Sequence, residues 1–502
     1  MSSFPIVNIL GGMKKRHLVI LGLILFATFI FRFPSLYEPY WYGDEGIFAA
    51  VATKLNQGGI LYQDAWDNKP PMIYLTYAAI FKLFGVSMFW LRLATIVVIL
   101  STTAVIYEIA QAVLGIKRAL AAAFVFGFLS SLRIVEGNLS LTEIFMILPT
   151  TLAMLIVIKR NFDEKALFVA GILFAIASLY KQVGGLEAAA LGVFLFLLSK
   201  SFGEFFRKCL FLTLGFLIPH LLTLGYFASK NLVGDYLFGA YTYYQIYLGE
   251  SPQYALLINI LKFLPILTAI IWSIFMKRRG ELAIFHLFLL WTAFAFLGTY
   301  FSGRTYGHYL VQALPPVSLL LASISLKFDF KKIQIIFAIF FFIPLVFLTR
   351  FLFTDFLTGG PVNQINYFRN FIDYSLGRKN LDEYNNFFDK NINSIMAVRD
   401  FFAVNKLTGS SAYVWGDLPW LYATSNLRNP TRYVTSFHVF GVPGGREEVM
   451  TALFDDPPNF ILKPQSAIGN FPELENLLAV NYTFVSQVET IEVYRASNLK
   501  GR

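Results

Sequence analysis

Ionisable residues border the apolar segments of this 502-residue chain in a pattern that suits one kind of chemistry. Asp44 and Glu45 stand together in Tyr40-Trp41-Tyr42-Gly43-Asp44-Glu45-Gly46, and Lys69 follows in Trp66-Asp67-Asn68-Lys69-Pro70-Pro71. Arg133, Glu136 and Glu143 flank a turn between two apolar runs. Lys181 ends another run, and Arg304, Tyr306, His308 and Tyr309 precede a later one. A charge beside hydrocarbon is costly, so each is a functional candidate by default. A carboxylate can take the proton of an attacking hydroxyl as general base. Lys and Arg can neutralise a phosphate that departs with its charge building up. Each residue also has a plain structural reading: an Asp-Glu pair solvated in a loop, a snorkelling Lys69, an Arg133–Glu136 ion pair, an interfacial His308. What argues for function is their convergence on one side of the apolar segments, among aromatic and Gly neighbours that shape a cavity. Five His, none at i,i+4 spacing, make no preformed His-rich metal site. The single Cys209 excludes a disulfide framework and a Cys-based metal or redox site.

The elements that must hold these residues are membrane helices. Apolar residues make up 56% of the chain and charged ones 14%, against about 25% in soluble proteins. No soluble fold could hide that much apolar side chain, so the chain is a polytopic α-helical membrane protein. Eleven runs approach the roughly 20 residues needed to cross the hydrocarbon core: near 18–34, 92–114, 119–135, 142–158, 166–180, 184–199, 209–228, 255–276, 283–301, 308–326 and 333–353. The first follows Lys14-Lys15-Arg16 but lacks a small-residue cleavage site, and is expected to stay as an uncleaved span. The net charge of +10 is no nucleic-acid signal. Residues 1–350 hold 28 Lys/Arg against 16 Asp/Glu, whereas residues 351–502 hold 13 against 15. The basic clusters fall between alternate spans, which predicts a cytoplasmic N-terminus and an extracytoplasmic tail.

Three stretches then lie outside: 35–91, 229–254 and 354–502. Residues 70–85 suit a helix lying in the interface. Residues 1–353 are expected to form the transmembrane catalytic domain, with the outer loop 35–91 carrying interfacial helices. Residues 354–502 are expected to form a C-terminal α/β domain outside the membrane. Its strands are read at Ser411–Gly416, Asn459–Leu462 and Glu489–Tyr494, with helical stretches between. Gly441-Val442-Pro443-Gly444-Gly445 reads as an ordinary loop, and no Gly-rich phosphate loop is present.

On this topology every candidate lies at the outer interface, where a phosphate attached to a lipid tail would sit. The local chemistry suits sugar transfer from a polyprenyl phosphate to a hydroxyl, and the composition alone leaves ion-coupled transport, or a flippase for a lipid-linked sugar, as the alternative. The absence of a convincing internal repeat, and the gathering of charges at one interface rather than the midplane, weigh against transport.

Taken in order, the motifs resemble the C-type (GT-C) membrane glycosyltransferases of the protein O-mannosyltransferase and lipid A aminoarabinose transferase group. They are Asp44-Glu45, Lys69-Pro70-Pro71, Leu141-Thr142-Glu143, Tyr180-Lys181-Gln182, Gly307-His308-Tyr309 with Pro315-Pro316, and the tail's Val414-Trp415-Gly416-Asp417-Leu418-Pro419-Trp420-Leu421-Tyr422. The resemblance implies a polyprenyl-phosphate sugar donor, a hydroxyl acceptor (protein, lipid or glycan), inverting transfer and no nucleotide-sugar site. It makes Asp44 the leading catalytic carboxylate, with Glu45 and Glu143 as partners. Lys69 becomes the contact to the carrier phosphate, with Arg133, Lys181 and Arg304 as further phosphate candidates. Tyr42, His308 and Tyr309 are candidates for substrate binding. Glu143 stands where relatives often have Asp, and Asn68 where the lipid A enzymes often have Glu. Some relatives bind a divalent metal, and nothing in these residues requires one.

Overall fold

Each of the eleven apolar runs is helical over most of its described residues in the computed structural model, which describes residues 15–247, 255–304, 306–324, 332–352, 363–465 and 469–497, although the α-helix of the third ends at Leu129. As helices, these runs of Leu, Ile, Phe and Ala pair most of their backbone groups within the segment, as an apolar surrounding demands. Six helices are long and apolar enough to cross a membrane by length and composition: Lys15–Tyr37, Met88–Leu114, Thr142–Lys159, Phe202–Ser229, Ile258–Arg278 and Ile333–Arg350. Shorter apolar helices include Met72–Phe84, Gln182–Leu198 and Ile284–Tyr300. The tenth run departs from a plain helix. Residues Gly307–Ala313 wind as a 3-10 turn, and the α-helix begins only at Leu314. Pro315 and Pro316 explain the break: without N–H groups, they fit the first helical turn, where donors have no intrahelical partner.

The chain divides into two compact units. The first comprises residues 1–33, 92–226 and 248–364. Its centre is the helix Ile284–Tyr300, whose Leu287, Phe288, Leu289, Leu290 and Trp291 are all fully buried. Burial on every side is what a helix apolar all round requires. Buried Arg32 closes the first helix by donating from Nη1 to the Ser130 carbonyl at 2.8 Å and from Nη2 to the Gly137 carbonyl. That anchors the turn carrying Arg133 and Glu136. A Cβ at Gly137 would overlap the Ser130 carbonyl, so only glycine permits the close approach. Arg92 reaches Ser140 Oγ at 3.3 Å and Thr95 Oγ1 meets the same hydroxyl at 2.8 Å, which fixes the entry to the helix that begins Thr142-Glu143.

The second unit comprises residues 34–91, 227–247 and 365–502. It thus gathers nearly all of the three stretches expected outside the apolar spans. Its sheet has four strands: β1 Ala412–Val414, β2 Phe460–Pro464, β3 Tyr482–Val488 and β4 Ile491–Ala496. Their order is β1-β2-β4-β3, with β1 parallel to β2 and the other pairs antiparallel. β1 is buried on both faces, as a strand joined to its parallel neighbour through helices should be. The chain leaves its C-terminal end through Trp415-Gly416-Asp417 into the helix Trp420–Thr424. Helix Gly43–Asn56 packs against this helix and against Met72–Phe84. Contact is close enough that a Cβ on Gly46 would come within 2.8 Å of Trp420 Cδ1 and 2.9 Å of Pro419 Cγ.

Candidate functional site

The candidate residues form two clusters, one in each unit. In the second unit Asp44 and Glu45 lie in the first turn of the helix Gly43–Asn56, where the unpaired N–H groups of the helix end favour negative charge. Tyr42 is the residue before that helix, and its carbonyl accepts a hydrogen bond from Trp420 Nε1 at 3.0 Å. The two carboxylates are not equivalent. Glu45 is fully buried, whereas Asp44 is half-buried and keeps a face toward solvent.

Lys69 is held by two tyrosines and a carboxylate. Its N–H donates to Tyr74 Oη at 3.2 Å, and its carbonyl accepts from Tyr62 Oη at 2.7 Å. Tyr74 Oη in turn donates to Asp67 Oδ2 at 2.7 Å. Burial and the neighbouring tyrosines and Asp67 push the Tyr62 phenol well above its ordinary range, so it serves as a neutral donor. The Lys69 ammonium is half-buried and donates to Asn68 Oδ1 at 2.7 Å. The backbone on either side is therefore fixed while the cation stays accessible.

His438, on the short helix Ser436–Gly441 of the tail, completes this cluster. Its Nε2 stands 3.4 Å from Asp67 Oδ1, both side chains being almost fully buried. The Trp66 ring meets the imidazole edge-on at 5.1 Å. Burial lowers the His438 pKa; Lys69 pushes the same way, and Asp67, Asp417 and Asp44 oppose it. Asp417, at the end of β1, accepts the Phe437 N–H at 2.9 Å and so fixes the start of the His438 helix.

The first unit brings together Glu143, Lys181, His308 and Tyr309. Glu143 and Lys181 form a buried ion pair, and the Thr142 hydroxyl donates to Glu143 Oε2 at 2.8 Å. The Lys181 ammonium also lies 3.5 Å from the centroid of the Tyr309 ring. His308 Nδ1 is 2.6 Å from Glu136 Oε2, and the same oxygen accepts the His308 N–H at 3.2 Å. Arg133 is buried, and its N–H donates to Gln364 Oε1 at 2.7 Å. Glu136 thus forms an ion pair with His308. Arg304 is exposed, its N–H donating to Ser302 Oγ at 3.2 Å.

Sequence reasoning passed over His438, Asp417, Tyr62 and Tyr74. The tail motif held a signal for Asp417, since a charged residue directly after a buried strand end needs a reason. His438 left none, because its partner is 371 positions earlier. Among the described residues no three of His, Cys, Asp and Glu are arranged to hold a metal ion.

Comparison with known proteins points to the same group of enzymes that the motifs resemble. Residues 68–223 match the family of dolichyl-phosphate-mannose-protein mannosyltransferases, a stretch that includes Lys69, Arg133, Glu143 and Lys181. An uncharacterized protein of Aquifex aeolicus is 26% identical over 362 residues, covering 67% of this chain and 69% of its own length. Among solved structures, ArnT from Cupriavidus metallidurans bound to undecaprenyl phosphate superposes with a TM-score of 0.58 at 14% identity, covering 98% of this chain and all of ArnT. The apo form of that protein gives a TM-score of 0.57 at 13% identity, with 96% and 98% covered. The chain therefore has the fold of the C-type membrane glycosyltransferases and resembles the protein O-mannosyltransferase and lipid A aminoarabinose transferase group.

Proposed function

We propose that this protein moves a sugar from a polyprenyl-phosphate donor to a hydroxyl acceptor at the outer face of a membrane. Asp44 takes the proton of the acceptor hydroxyl as its oxygen attacks the anomeric carbon. The bond from that carbon to the phosphate oxygen breaks, and the configuration inverts. Lys69 neutralises the charge that collects on the departing lipid phosphate. One observation carries this reading: a single compact unit holds Asp44, with an open face at a helix N-terminus, and Lys69, on a backbone fixed by Tyr62 and Tyr74. Base and phosphate cation thus belong to the same compact unit. The ArnT structure with bound undecaprenyl phosphate supports the choice of carrier.

We assign Glu45, fully buried beside Asp44, to orienting its neighbour. Glu143 is committed to Lys181, so it serves to hold that ammonium against Tyr309 rather than to accept a proton. Arg133, Lys181 and Arg304 remain phosphate candidates, and Tyr42, His308 and Tyr309 substrate candidates. The eleven helical runs would all cross the bilayer, with the N-terminus cytoplasmic and the tail outside. Mass spectrometry of envelope glycans and glycoproteins from a deletion strain tests the proposal. Loss of one sugar from one class of acceptor supports transfer and names both substrates. An unchanged glycan profile, with a lipid-linked sugar stranded on the cytoplasmic side, would replace transfer by transport.

A further inference from the structure

Lys69 can meet a phosphate only if its backbone is held, and the structure contains the device that holds it. The Tyr74 hydroxyl stands between two groups: it donates to Asp67 Oδ2 at 2.7 Å and accepts the Lys69 N–H at 3.2 Å. A hydroxyl has one proton, so committing it to Asp67 leaves an oxygen lone pair for Lys69. Were Asp67 free to turn, the hydroxyl could turn with it and the Lys69 N–H would lose its acceptor. The other oxygen of Asp67 faces His438 Nε2 at 3.4 Å. A carboxylate can only accept, so the ring proton belongs on Nε2, and Nδ1 is left to accept from Thr435 Oγ1, 3.1 Å away on the far side. The Trp66 ring walls the imidazole on one side, and Thr435, His438 and Asp67 are all nearly fully buried. Water is thus a poor substitute for any link.

We infer that His438 is a positioning residue of the lipid-phosphate site, acting through Asp67 and Tyr74 on the backbone of Lys69. The tail thereby contributes a working part to a site whose cation comes from the first outer loop. This rests on the proposed role of Lys69 as the contact to the carrier phosphate.

The test measures binding of polyprenyl phosphate to the full-length protein in lipid nanodiscs, for the wild type, K69A, H438F, H438Q and the double variant K69A/H438F. H438F keeps the ring that packs against Trp66 and removes the contact to Asp67. It should weaken binding roughly 3- to 30-fold, within the range that coupled neighbours show. H438Q, whose amide nitrogen falls near the position of Nε2, should stay within about twofold of wild type. In the K69A background H438F should change binding by less than about twofold, since its effect runs through Lys69. If H438F folds poorly, T435V loosens the same chain from its far end and should give a smaller loss, again absent without Lys69. Equal losses from H438F with and without Lys69, or no loss in either, overturn the inference and leave the role of Lys69 standing. Unchanged binding by K69A alone overturns that role and the inference with it.

Discussion

Lys181 shares its ammonium between the buried carboxylate of Glu143 and the face of the Tyr309 ring, 3.5 Å away. Two charges taken this far out of water are stable only while each has the other. Glu143 therefore has a standing partner, whereas Asp44, the proposed base, is half-exposed at a helix N-terminus.

Breaking that pair should cost far more than removing it. Lys181→Met alone leaves a buried carboxylate and should destabilise by about 3–5 kcal/mol. The double variant Glu143→Gln/Lys181→Met should recover most of this. Thermal unfolding in nanodiscs reads both, and a double variant as unstable as the single one would show that the pair does not act as a unit.

Lys69→Ala should leave folding intact and lower turnover at subsaturating donor. Loss of one charge-assisted contact to a phosphate costs about 1.5–3 kcal/mol, or roughly 10- to 150-fold. Turnover near that of the wild type would make Lys69 a snorkelling side chain.

Acid should weaken the second unit through His438. Burial holds its pKa below the ordinary value of about 6.5 that the unfolded chain would show. Between those two values the unfolded chain binds more protons, so stability rises with pH through that window and is complete above about 6.5. Melting temperatures of the wild type should therefore fall more than those of H438Q between about pH 7.5 and pH 5. Equal falls would mean that another group governs the acid limb.

The candidates in residues 35–91 could be picked out in sequence because their pattern is local. Asp44-Glu45 and Lys69-Pro70-Pro71 announce themselves by type and spacing, and the apolar runs became helices where their lengths put them. Strands β1, β2 and β4 likewise follow the apolar stretches around Val414, Ile461 and Val493. β3 escaped, because the helix Pro472–Asn481 runs directly into it without a turn residue and most of its side chains are exposed. The support for Lys69 escaped for a deeper reason. A contact between positions 67 and 438 has no period and no motif, and burial of a lone His in a tail becomes visible only when Trp66 and Asp67 are seen against it.

Gly46 is a case where a small residue is demanded by packing. A methyl there meets Trp420 and Pro419 at under 3.0 Å. Gly46→Ala should cost about 1–3 kcal/mol by overpacking and shift the helix that carries Asp44. Calorimetry showing no change would mean that the Trp420 helix yields freely.

Reporter fusions after Lys332 and after Asn366 should report opposite sides of the membrane, because one helix, Lys332–Leu352, lies between them. The same side for both would remove the shared outer face on which the candidates were gathered.

The assignment of the base is tested most directly by the turnover of purified Asp44→Asn with a polyprenyl-phosphate sugar. The substitution keeps the shape and removes the basicity. A positioned general base contributes about 10²–10⁴-fold, so a loss of at least about 100-fold is expected, with normal insertion and an unchanged melting temperature, and a smaller loss for Glu45→Gln. More than about a tenth of wild-type turnover in Asp44→Asn, together with abolished turnover in Glu143→Gln, would contradict it and transfer the role to Glu143.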